Sequence, residues 1–191
     1  MNIGIFSGSF NPVHIGHLIL ANYIVEFTEI EEVWFVVSPE SPFKSGKEQA
    51  GEGIRLKMVE IALKNFPKLK PCDVEFTLPK PSYTIDTIKV LQEKYSNDNF
   101  SLIIGADNWD SFENWKEHDK ILEKCDIKVY PRLGSRISIP NKLKGKVEAL
   151  ESPIIEISST FIRDGIKDNK NMRAFLSGNV FEYIVENKLY E

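Results

Sequence analysis

Short apolar runs alternate with stretches of helical period along this chain, and that alternation limits the fold more than any other feature. Residues 1–6, 32–38, 70–76, 99–104 and 126–130 read as strands, each short, rich in β-branched or aromatic residues and closed by a turn-forming or polar residue. Between them the apolar residues recur at three and four positions. Leu18, Ala21 and Val25 predict a helix from His14 to about residue 27; Leu56, Val59 and Leu63 predict one over 54–65; Ile85, Ile88 and Leu91 predict one over 84–95. Strands separated by helices pair in parallel, and a parallel sheet must be covered on both faces. The expected fold is therefore α/β, a doubly wound parallel sheet. In such a sheet a ligand lies beyond the carboxyl ends of the strands, where strand order reverses. The informative segments are then the loops 7–17, 38–44, 105–115 and 158–163.

The rest of the chain reads less sharply. Residues 39–53, with two Pro and three Gly, predict a mobile loop. Residues 109–123 read as helical pieces, 132–146 as basic and turn-rich, and 147–157 as one or two short strands. Further helical segments are expected over 158–164, 172–175 and 180–187. At 191 residues the whole of 1–191 reads as a single domain, with a small C-terminal helical portion from about 158.

Charge and composition narrow the function classes. Lys and Arg number 24 against 28 Asp and Glu, a formal charge of −4. A net-acidic chain is poorly suited to clamping a nucleic-acid backbone, whose affinity comes from many neutralised phosphates, so no nucleic-acid partner is expected. One small phosphorylated ligand remains within reach of a few local donors. Cys72 and Cys125, 53 positions apart and in no CxxC pattern, read as reduced thiols rather than a disulfide or metal site. The N-terminus lacks the pattern of a signal peptide, and no apolar run approaches the roughly 20 residues that cross a bilayer, so a cytoplasmic chain without a membrane partner is expected. A homo-oligomer stays open.

The loop Ser7-Gly8-Ser9-Phe10-Asn11-Pro12-Val13-His14-Ile15-Gly16-His17 leaves the first strand and enters the first helix. His14 and His17, three apart, lie on one helical face. At a helix start that face shares its outlook with backbone N–H groups that have no intrahelical partner. Gly8 and Ser9 are small enough for backbone amides to approach a phosphate. Capping or core histidines, and a metal pair from HxxH without an evident third ligand, stand beside the favoured reading of phosphate binding. Neither the GxxxxGK(S/T) loop nor the GxGxxG fingerprint is present.

A second cluster, Ile157-Ser158-Ser159-Thr160-Phe161-Ile162-Arg163, sets three hydroxyls before a short apolar stretch. A helix N-cap accounts for a hydroxyl. It does not account for Arg163, one turn in and directed back toward the helix start, where it fits a polyphosphate.

Segment 7–17 resembles the Ser/Thr-Gly-x-Phe-x-Pro-x-His-x-Gly-His signature of the nucleotidyltransferase superfamily, and 157–163 resembles its ISSTxIR motif at every defined position. The resemblance implies a Rossmann-like nucleotidyltransferase fold and transfer of a nucleotidyl group from a nucleoside triphosphate. Three further segments resemble the bacterial nicotinate-nucleotide adenylyltransferase family over nearly the whole length: Pro39-Glu40-Ser41-Pro42-Phe43-Lys44, Ser82-Tyr83-Thr84-Ile85-Asp86-Thr87, and Ile104-Gly105-Ala106-Asp107 with Phe112 and Trp115. Residues 129–132 resemble the end of the next strand, closing on Arg132. Phe43 departs from the family, standing where a His is common, and Trp109 occupies a variable place. His118 reads as a surface residue.

That resemblance implies adenylyl transfer from ATP to nicotinate mononucleotide, giving nicotinate adenine dinucleotide and pyrophosphate, a step of NAD biosynthesis. It implies His14, His17, Lys44 and Arg163 on the phosphates. Gly8, Ser9 and Phe10 would offer backbone amides; Gly105 and Asp107 would serve the adenosine ribose; Arg132, Ser158, Ser159 and Thr160 would meet the triphosphate. Thr84 would help hold the pyridine carboxylate, and Trp115 would stack on the ring while its amide met that carboxylate. Mg²⁺ would ride on the ATP phosphates with no dedicated protein site. Alternatives are a nicotinamide mononucleotide or phosphopantetheine adenylyltransferase, or a nucleotide-binding sensor that would be expected to lack His17 or Arg163.

Overall fold

A computed structural model describes residues 1–39 and 49–191. Among them lies a six-stranded sheet in which all neighbours are parallel: β1 (Asn2–Gly8), β2 (Glu32–Val37), β3 (Leu69–Cys72), β4 (Asn99–Gly105), β5 (Asp126–Tyr130) and β6 (Val147–Ala149). The order is β3-β2-β1-β4-β5-β6, so the winding reverses between β1 and β4. This is the expected doubly wound α/β sheet.

Alternation along the strands divides the core. Ile3 and Ile5 of β1, Leu102 and Ile104 of β4, and Ile127 and Val129 of β5 face Ile85, Ile88 and Leu91 of α3 (Thr84–Lys94) and Ile121 of α5 (His118–Lys124). On the opposite face Phe6, Val33, Phe35 and Ile103 meet Leu18, Ala21, Ile24 and Val25 of α1 (Ile15–Phe27). Met58 and Val59 of α2 (Glu52–Leu63), Ile162 of α6 (Ser159–Lys167) and Val180 of α7 (Gly178–Glu186) complete that layer. A short helix, α4 (Ala106–Asp110), follows β4 directly. The apolar positions read for α1 and α3 are all buried. No helix among the described residues is long and apolar enough to cross a membrane.

One strand expectation needs correction. The strand expected over 70–76 ends at Cys72, and Val74–Thr77 is a 3₁₀ turn. β2 offers partners only as far as Val36, opposite Cys72, after which the chain turns under the sheet edge and buries Glu75. Val74 and Phe76 mimic strand alternation while packing from a turn. Over 147–157 one strand forms, of three residues, and Leu150 adds a single bond to Val129 O at 2.8 Å. The expected mobile loop, with Phe43 and Lys44, falls largely on residues outside those described.

Candidate active site

The loops after β1 and β4 flank the crevice where strand order reverses, and among the described residues His14, His17, Gly8, Ser9, Asp107 and Arg132 line recesses there. At the start of α1, His14 takes the N-cap position and is 5% exposed. Its ring stacks on that of His17, centroids 3.7 Å apart. His17 Nδ1 accepts the backbone N–H of His14 at 3.2 Å. That bond puts the ring proton of neutral His17 on Nε2, which becomes a donor. Burial, reinforced by the positive charge of Arg132, lowers His14 to a pKa of about 4.

The two ends of the chain meet at this loop. Ser159 Oγ donates to Pro12 O at 2.9 Å, and Arg163 Nη1 donates to Asn11 O at 2.9 Å. Arg163 Nη2 also donates to Thr160 Oγ1 at 3.3 Å, so the guanidinium does reach back over the first turn of α6. Ser158 caps that helix, its Oγ accepting the Phe161 N–H at 3.1 Å. Tyr190, next to the last residue, donates to Asn11 Oδ1 at 2.7 Å.

Phe10 carries a φ of 44°, in the left-handed region, and its ring is buried against Phe6, His17 and Phe35. Only its backbone is available to a ligand. Gly105, the N-cap of α4, lies so close to the Asp107 carboxylate that a Cβ there would collide with it, and it would crowd Arg132. Arg132 Nη2 donates to Tyr130 Oη at 3.1 Å, and its Nε stands 3.8 Å from Asp107 Oδ1. Arg132 lines two recesses. The smaller contains His14, His17 and Ile157. The larger, a cleft of about 700 Å³, runs from Ser7, Gly8 and Ser9 past Ser38 and Asp107 to Thr84 and Trp115.

At the far end of that cleft the details differ from expectation. Tyr83 is the N-cap of α3, and Thr84 is the first helical residue. Its N–H belongs to the first turn, where amides have no intrahelical partner and the helix favours negative charge. The Trp115 amide, assigned above to a carboxylate, donates instead to Phe112 O at 3.0 Å. The Trp115 ring packs at 5.5 Å from that of Phe112. His118 is half-buried rather than superficial, edge-on to Phe112 at 6.0 Å.

Two charged residues escaped the sequence reading. Arg55 of α2 is 1% exposed; it donates from Nη1 to Ser9 O at 2.6 Å and Ser38 O at 2.8 Å, from Nη2 to Pro39 O at 3.0 Å, and from Nε to Ala50 O at 2.9 Å. It ties the loop after β1 to the segment after β2. The available signal was its place on one stripe with Met58, Val59 and Ala62, where an Arg is anomalous. Glu75 is 3% exposed and binds Ser7, Ser82 and Thr87; nothing in its sequence spacing announces that.

Residues 5–165, which include the sheet and the clasp at its switch point, match the cytidylyltransferase-like family, which places the chain among the nucleotidyltransferases. A Bacteroides thetaiotaomicron protein named "Probable nicotinate-nucleotide adenylyltransferase" is 47% identical over 97% of this chain and 92% of its own length. One of the same name from Flavobacterium johnsoniae is 44% identical over the full length of both. The chain belongs to the nicotinate-nucleotide adenylyltransferase family. Its fold is also that of the Plasmodium falciparum nicotinic acid mononucleotide adenylyltransferase complexed with NaAD, at a TM-score of 0.79 and 21% identity, covering 99% of this chain and 97% of the other.

Proposed function

We propose that the chain transfers the adenylyl group of ATP to nicotinate mononucleotide. An oxygen of the acceptor phosphate attacks the α-phosphorus of ATP in line; the bond from that phosphorus to the α,β-bridging oxygen breaks, and pyrophosphate leaves with its electron pair. The acceptor phosphate is already an anion, so no base has to create the nucleophile. What remains for the protein is to hold two anions close and to stabilise charge in the transition state.

The observation that carries this reading is the clasp between loop and helix, Ser159 on Pro12 and Arg163 on Asn11, in a protein whose switch point also holds a cleft of about 700 Å³. His17, with its donor on Nε2, and neutral His14 serve the ATP phosphates. Arg163, Ser158, Ser159, Thr160 and Arg132 serve the departing pyrophosphate and the triphosphate. Lys44 is assigned there by resemblance alone. Gly105 and Asp107 take the adenosine ribose. Backbone amides at Gly8, Ser9 and Phe10 orient the acceptor phosphate, the first turn of α3 at Thr84 meets the pyridine carboxylate, and the Trp115 ring stacks on the pyridine. The bond from Tyr190 to Asn11 supports treating 1–191 as one working unit.

Among the described residues no group of three or more His, Cys, Asp or Glu is arranged to hold a metal ion. Mg²⁺ carried in on phosphate oxygens and water would neutralise phosphate charge there.

Pyrophosphate release, measured with ATP plus nicotinate mononucleotide, nicotinamide mononucleotide or phosphopantetheine, tests the assignment. The acid mononucleotide is expected to give the highest kcat/KM. A preference for either alternative acceptor overturns it.

A further inference from the structure

Glu75 lies in the cleft wall but in none of the roles above. Ser7 Oγ donates to its Oε1 at 3.2 Å, Thr87 Oγ1 to the same oxygen at 2.9 Å, and Ser82 Oγ to Oε2 at 2.7 Å. A hydroxyl has one proton to give. With that proton held by Glu75, Ser7 and Ser82 can only accept further hydrogen bonds. Ser38 Oγ is 3.3 Å from Ser7 Oγ, and since the Ser7 proton is committed, Ser38 is the donor of that pair. Ser38, Ser7 and Ser82 all line the cleft, while Thr87 is buried beneath. The wall thus presents lone pairs to a ligand, backed by a carboxylate. It suits a hydrogen-bond donor and is hostile to an anion.

Connectivity says which part of the ligand it meets. Ser7 adjoins Gly8 and the phosphate-binding loop; Ser82 is two residues before Thr84 at the ring end. In a mononucleotide the sugar stands between phosphate and ring. We propose that Glu75, by orienting the hydroxyls of Ser7, Ser38 and Ser82, makes a subsite that reads the ribose hydroxyls of the acceptor nucleotide. Glu75 is a positioning residue here, and the serines make the contact. The inference rests on the acceptor assignment made under Proposed function.

The test compares wild type, Glu75→Gln and Ser82→Ala on nicotinate mononucleotide and its 2′-deoxy and 3′-deoxy analogues, with kcat, both KM values and the melting temperature. In wild type, loss of one sugar hydroxyl is expected to lower kcat/KM by about 10-fold or more, because a buried acceptor is left unpaired. In Glu75→Gln the amide must donate to one hydroxyl and reverses it. The KM for the mononucleotide then rises by about 10-fold, kcat and the KM for ATP stay within about threefold, and the deoxy penalty shrinks to within about threefold. Ser82→Ala, which removes one acceptor and leaves Glu75 in place, shows the same shrinkage and decides the matter if Glu75→Gln fails to fold. Equal deoxy penalties in wild type and the variants, no penalty in wild type, or a fall in kcat with both KM values raised and a lowered melting temperature overturns the proposal. A wild type that ignores nicotinate mononucleotide and uses another acceptor is a different result, and it removes the acceptor assignment itself.

Discussion

The imidazoles of His14 and His17 stack with centroids 3.7 Å apart and planes 23° from parallel. Two rings this close cannot both carry a proton's charge cheaply, and the environment separates them. His14 is buried beside Arg132 and held neutral; His17 accepts a backbone N–H on Nδ1, which leaves the proton of its neutral ring on Nε2. The pair thereby combines a buried neutral ring at the helix start with a second ring whose proton lies on Nε2.

The depressed His14 pKa has a consequence for stability. Unfolded, His14 takes a proton near pH 6.5; folded, it does so only near pH 4. Below pH 6.5 the unfolded chain therefore binds more protons, and stability falls as pH falls, by up to about 1.4 kcal/mol per pH unit until the folded group titrates near 4. Between pH 7 and 5 the loss from this residue is about 2 kcal/mol. Urea denaturation across that range is expected to show it, and His14→Asn to flatten that part of the profile. An equally steep profile in the variant assigns the acid sensitivity to other groups.

His17→Ala removes the donor assigned to the transferring phosphates, together with a ring that packs on Phe10 and His14. Turnover is expected to drop by about 10²–10³, the range for one lost electrostatic donor. Steady-state kinetics of pyrophosphate release read this directly. A kcat within about threefold of wild type would contradict the role.

Arg55 acts on the site from behind. Its guanidinium meets four carbonyl oxygens, on Ser9, Ser38, Pro39 and Ala50. Arg55→Met keeps much of the packing but leaves those acceptors without their partner, costing about 3 kcal/mol. The melting temperature is expected to fall by about 6–12 °C for a chain of this size. A shift under 2 °C would mean that the carbonyls find other donors.

How much of this was readable from the residues follows from how local the causes are. The strands and helix faces were legible because Ile85, Ile88 and Leu91 carry their period in plain view. The meeting of loop and C-terminal helix was legible because segments 7–17 and 157–163 each carry phosphate chemistry that makes sense only together. Glu75 was not legible: its burial depends on Ser7, Ser82 and Thr87 arriving from three separate elements, and beside Val74 and Phe76 it looks like one step of a strand. The bond from the Trp115 amide to Phe112 O was not legible, because the 3₁₀ turn that makes it is a matter of three residues' backbone angles, which spacing does not reveal.

Arg163 combines two tasks that a lysine cannot. One arm of its fork holds Asn11 O and another reaches Thr160 Oγ1, while the planar guanidinium keeps further donors for a phosphate. In Arg163→Lys a single ammonium can meet the carbonyl or the phosphate in a fixed direction, but it has no fork to bridge them. The loop carbonyl is partly reachable by water, so the stability cost is small, about 1 kcal/mol. The functional cost is larger, because the retained charge no longer has a fixed position relative to the leaving pyrophosphate. The KM for ATP is expected to rise by about 10-fold and kcat to fall by about 10-fold or more, with the KM for the acceptor within about threefold. Initial rates over a grid of both substrates separate these values. A variant in which only the acceptor KM changes would move Arg163 away from the ATP side of the site.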